Sequence, residues 1–309
     1  MIGGLLAAFG AFCYALSSVA IAKSSQSTSG RGNDVILSVI MTAIAAGLLW
    51  LFFGPALPNY GAATLAGVSY FALAGVLANV LGRLTLFKSI ELAGAIETGL
   101  IRRLIPVFSA FFAFIFLGEI ISSSVVCAFL LVTGGVLIML IGTPALEGAR
   151  GSAADLSAKS RNAGAAMALG SAAGYGSAFA VRKLAMQFFP DPLAGVFIGA
   201  ISGLVWFCIS TCLRPSGRPA LPFQCIRRPT GWQFLSGSSI TLGQVALYFS
   251  LMHSKVAVVA IISSIEVFFA AWLAGYVFKT ESPPGLRFLL AFALAAAGVA
   301  ILAVAPKGF

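Results

Sequence analysis

Charge is what this chain has least of: only 9% of its 309 residues are Asp, Glu, Lys or Arg, against about 25% in soluble domains. Apolar residues make up 60%, and mean hydropathy is +1.02. The solvent is therefore a lipid bilayer, and the chain reads as an integral membrane protein. A helix needs about 20 apolar residues to cross the hydrocarbon core, so this length holds about ten crossings and no large soluble domain. Histidine occurs once, as His253, and the five cysteines form no C-x-x-C pair. That argues against a zinc or haem site, and no cofactor is expected. The nine acidic residues form no D-D-x-x-D cluster, so a membrane-embedded lipid or prenyl transferase has nothing to hold a metal and diphosphate. An enzyme is not expected. No G-x-x-x-x-G-K-[ST] phosphate loop is present, which removes ATP as a direct energy source. Nor does 1-MIGGLLAAFGAFCYALSSVAIA-22 carry the basic leader of a cleaved signal, so it reads as the first span. The net charge of +10 sits mostly in connections between apolar runs, where basic residues record membrane orientation rather than nucleic-acid binding.

Charges and breakers divide the chain into apolar runs near 2–22, 34–54, 64–87, 96–117 and 124–142, then 163–186, 193–213, 231–252, 257–278 and 286–305. The fold class expected is an all-α integral membrane protein of ten transmembrane helices, with 143–162 as the linker between residues 1–142 and 163–309. Sliding one half over the other by 162 residues lays 84-LTLFKSIELAGA-95 on 246-ALYFSLMHSKVA-257 and Glu119 on Glu281. Nearby offsets bring 47-GLLW-50 onto 203-GLVW-206, and Tyr14 and Lys23 near Tyr175 and Lys183. A unit with an odd number of crossings ends on the side opposite its start. A second copy is therefore inverted, and two inverted five-helix repeats are a common transporter architecture with a mid-membrane site at their interface.

An apolar helix with internal L-x-P-V ending in L-G-E, here 104-LIPVFSAFFAFIFLGE-119, precedes the glycine-containing helix with 134-GGVLIMLIG-142. This pattern resembles the EamA branch of the drug/metabolite transporter superfamily. The resemblance implies ten spans in two repeats, transport without ATP, and a bacterial inner (plasma) membrane, but no particular cargo. The second half departs from the pattern, with Phe268 where the first has Pro106 and Lys-Thr where the first has Leu-Gly.

Ionisable residues inside a membrane are the default functional candidates. Arg102 and Arg103 lie side by side in an apolar run, about 100° apart on a helix, and Pro106 removes the backbone donor to the Arg102 carbonyl, which bends the helix beside them. At the 162-residue offset Glu266 falls opposite Leu104, so it is expected at the same depth and paired with one of the arginines. A structural latch is the competing reading of that pair. Tyr14, Asn79, Tyr175, Gln244, Tyr248 and Trp272 are candidate cavity residues. Glu97 and Glu266 are the carboxylates placed for proton coupling. Arg182, beside Lys183, is expected to reach for the membrane surface, and Glu119 and Glu281 to place negative charge at the start of the fifth and tenth spans.

The expected function is a secondary transporter, an exporter of a small anionic or zwitterionic metabolite such as an amino acid, working by alternating access. A guanidinium left over after Glu266 is matched would grip a carboxylate or phosphate. A channel and a non-transporting scaffold are the alternatives. The expected partners are the small-molecule substrate and the bilayer, in a monomer or homodimer. Loop charges place both termini outside, whereas the resemblance implies cytoplasmic termini.

Overall fold

A computed structural model of the chain describes residues 2–27, 33–55, 61–140, 158–212, 230–279 and 285–304. Within these the chain is helical, and no strand occurs among the described residues. The first five spans are Ile2–Ser27, Asn33–Phe53, a third beginning at Ala62, a fourth ending at Leu117, and Ser123–Leu140. The third and fourth are joined by helical backbone, yet Ser89 and Thr98 share a hydrogen bond of 2.6 Å between their hydroxyls. In a straight helix nine residues rise about 13.5 Å, so the chain doubles back between them. The second five spans are Ala158–Phe188, Pro192–Cys212, Gly231–His253, a ninth from Val256 to Val277, and Leu286–Val304.

Eight of these helices are long and apolar enough, each taken alone, to cross a membrane. Of the other two, Ser123–Leu140 falls short in length. The sixth, Ala158–Phe188, is rich in Gly, Ser and basic residues. Its polarity is tolerated because the third and fourth spans pack along it, covering it from lipid.

Packing between the halves obeys a pseudo-twofold. The first span lies on the eighth and ninth, and the sixth lies on the third and fourth. The second span also meets the eighth as the seventh meets the third. The fifth and tenth spans pair with each other. There a Cβ on Gly135 would fall 2.5 Å from the Ala291 carbonyl oxygen, and one on Gly298 would fall 3.0 Å from that of Ala128. Gly135 and Gly298, like Ala128 and Ala291, stand 163 residues apart in sequence, so one close contact is made twice. Small residues at such crossings let helices approach where no hydrophobic force separates them from lipid.

The fourth and ninth spans break at equivalent places. A 3₁₀ turn at Arg102–Leu104 interrupts the fourth, and Ser264 and Ile265 interrupt the ninth between Val256–Ser263 and Glu266–Trp272. Pro106 accounts for the first break, since it opens the helix that follows. The ninth span breaks with Phe268 in the matching region. Proline is thus not what both copies share.

Candidate functional site

Around these two breaks lies a cavity of about 360 Å³. Arg102, Arg103 and Gly99 face it from the fourth span, and Ser263, Ser264 and Glu266 from the ninth. Tyr14, Ser17 and Ser18 of the first span, Tyr175 and Arg182 of the sixth, and Gln244 of the eighth complete the ring with Asn79 and Arg83. Asn79 sits in a π-helical turn, Leu77–Gly82, of the kind often found at functional sites. Its amide donates to the Gly75 carbonyl at 3.0 Å. Beside the cavity, a narrow alcove runs between Asn79, Arg83, Arg182, Gln244 and Tyr248.

Most residues expected at the site converge there, with four differences. Glu266 does not form the expected ion pair. Its carboxylate accepts from Ser18 Oγ at 3.3 Å and feels the charges of Arg102 and Arg103, but among the described residues neither arginine reaches it within 4.0 Å. Arg102 stands instead over Tyr175, 5.2 Å from its ring centre. Trp272 faces outward and is 44% exposed. It lies six residues beyond Glu266, about 120° round the helix, and five beyond Val267, about 140° round. Tyr248 lies fully buried beneath the alcove rather than in the main cavity. Arg182, expected at the surface, is only 7% exposed, held over Tyr248 at 5.0 Å and Phe179 at 5.9 Å. The Glu97 side chain lies outside the described residues.

The hydroxyls of Ser17, Ser18, Ser263 and Ser264 were not anticipated. The signal was there: each pair is a Ser-Ser step in an apolar run, and both runs carry a cavity residue already singled out.

The cavity is stopped at the end where the first span begins and the ninth starts. Phe71, Phe189, Leu251, Val256, Val259 and Ile262 form a packed core there. The L-G-E motif completes the seal. Gly118 adopts a left-handed φ of 64°, with Gly118 N–H donating to Phe114 and Glu119 N–H to Ala113, an αL helix ending that glycine adopts without strain. It aims the Glu119 carboxylate at the ninth span, where Val256 N–H donates to it at 2.9 Å. Lys183 forms an ion pair with Glu119 at 3.0 Å and donates to the Ser254 carbonyl at 2.6 Å. Glu119 therefore does serve a helix N-terminus, but that of the ninth span and not the fifth. Glu281 lies outside the described residues. At the opposite end the cavity reaches Gly99 and Ile21, near where the fourth span begins and the first ends.

A duplicated helical fold with a polar cavity at paired helix breaks is that of a multi-pass membrane protein with the inverted-repeat architecture common among transporters. Residues 1–141 match the EamA-like transporter family, so the first repeat is similar to an EamA-like unit. A solved crystal structure of a protein superposes on 97% of this chain and 96% of its own, with a TM-score of 0.69 at 16% identity. At that identity the likeness is one of fold, and it extends over both repeats. No curated protein matches in sequence.

Proposed function

We propose that the protein is a secondary transporter, an exporter in a bacterial inner membrane, that moves a small anionic or zwitterionic metabolite by alternating access. One observation carries this reading: four arginines, Arg83, Arg102, Arg103 and Arg182, share a mid-membrane cavity with a single carboxylate among the described residues, Glu266. An arginine at the centre of a membrane helix costs about 2.5–3.5 kcal/mol on insertion scales, so four at one interface carry a steep penalty. Alternating access needs a seal that can part. The Glu119–Lys183 pair is of that kind, because it ties the fourth, sixth and ninth spans at one end through polar contacts that water could replace. Its rupture, with closure around Gly99, would expose the cargo to the other side.

The test is saturable counterflow in proteoliposomes, together with a thermal-shift panel of metabolites on the purified protein. A cargo at 100 times its dissociation constant should stabilise the fold by about 2.7 kcal/mol. Flux that rises linearly with concentration would indicate a channel. Absence of both binding and flux would leave a scaffold.

A further inference from the structure

Two of the four cavity arginines are held in an unusual way. Arg102 rests over the ring of Tyr175, and Arg182 over those of Tyr248 and Phe179. An aromatic face attracts a guanidinium through its charge and takes none of the N–H donors along its planar edge. Arg182 also hydrogen-bonds to Tyr248, but one nitrogen of each arginine is left over: Arg83 Nη1, Arg102 Nε, Arg103 Nε and Arg182 Nε are all buried without a hydrogen-bond partner. An unmade hydrogen bond on a buried charged group is costly. Four guanidiniums that each keep an unanswered nitrogen and line one cavity give that cavity a positive charge for a ligand to answer.

The arginines fall into two groups. Arg83 and Arg182 frame the alcove, whose lining includes no carboxylate among the described residues. Arg102 and Arg103 lie on the broken fourth span within electrostatic reach of Glu266, which offsets one positive charge of that group. A neutral zwitterion would leave the alcove pair unanswered and bring an ammonium into a cavity already positive.

We propose that the cargo carries at least two negative charges, with one oxyanionic group seated between Arg83 and Arg182 and another at Arg102 and Arg103. The class is a dicarboxylate or a phosphate-bearing metabolite. This rests on the transporter reading and narrows it.

The experiment uses the purified full-length chain with four probes: succinate, inorganic phosphate, alanine and choline. Each is assayed by thermal shift and by counterflow in proteoliposomes. Succinate or phosphate should raise the melting temperature and exchange, with alanine and choline inert; which of the two acts separates dicarboxylate from phosphate chemistry. Arg182→Lys keeps the charge but loses the planar fork, and Arg83→Gln loses the charge. Each should weaken the active dianion about tenfold or more, while the unliganded melting temperature holds in Arg182→Lys and holds or rises in Arg83→Gln, where an unanswered charge has gone. A fall in that temperature with undiminished binding would make the arginines structural and overturn the proposal. Binding and exchange of alanine or choline, but of neither dianion, would overturn it too and leave the transporter reading standing. Dianion binding without exchange of any probe would support the site and sink the transport reading. No binding and no exchange would sink both.

Discussion

The two ends of the cavity are built from equivalent parts and differ in state. At the closed end Lys183 of the sixth span is engaged by Glu119 and the Ser254 carbonyl. Its counterpart in the first span, Lys23, stands instead over Trp232 at 5.0 Å and Phe278 at 5.6 Å. The helix endings differ likewise. Gly118 makes the turn at the closed end, whereas Lys279 takes the left-handed region at φ 50°, a conformation that costs a side chain about 1–2 kcal/mol. A repeat whose halves were chemically identical would have no reason to prefer one end. The exchange of Leu117-Gly118 for Lys279-Thr280 supplies a reason: the first repeat turns at a glycine, whereas the second holds a lysine at positive φ.

The fifth and tenth spans are where the halves are alike, and breaking that likeness should have the largest effect. Gly135→Val drives a side chain into the Ala291 carbonyl and should cost about 3 kcal/mol or prevent folding. Gly298→Val, with more room, should cost less, and thermal unfolding of both variants would show whether the pair is as symmetric as its spacing. Next comes the Glu119–Lys183 pair. Glu119→Ala leaves Lys183 uncompensated and the Val256 N–H without its acceptor. Removing one member of a fully buried pair costs about 3–5 kcal/mol, and since these side chains are 22% and 12% exposed about 2 kcal/mol is expected. The same variant should raise maleimide labelling of a cysteine placed at Ser254. At the other end, Lys279→Gly relieves the strained φ and should stabilise the protein by about 1 kcal/mol, read as a rise in melting temperature. Smallest is Lys23→Ala, which removes a cation from two ring faces at a cost of about 0.5–1 kcal/mol and should leave Ser254 labelling unchanged. If it altered that labelling as much as Glu119→Ala does, the distinction between the ends would fall.

Much of this was readable from residue order. Eight of the spans follow from hydropathy alone, because lipid admits no backbone that fails to satisfy its own hydrogen bonds, and the repeat supplies the other two. The common depth of Glu266 and the paired arginines follows from the repeat offset. Trp272 could have been excluded from the cavity by helical phase alone, counting from Glu266. Arg182 could not have been placed. A basic residue beside a lysine near a helix end normally reaches for the surface, and only the rings of Phe179 and Tyr248, the latter from a helix more than sixty residues away in sequence, offer it a seat inside. The same holds for Glu119: its spacing marks it as a helix-terminal charge, but which helix it serves depends on where the ninth span starts in space.

Hydropathy and the repeat therefore decide the solvent, the number of crossings and the inversion of the halves, since each depends only on how far along the chain a residue lies. Packing decides which arginines turn inward, which carboxylate seals an end, and where the ninth span breaks without a proline. These depend on what faces each side chain from another helix, and in a protein whose interior and exterior are both apolar, the sequence pattern does not distinguish a side chain facing a helix from one facing lipid.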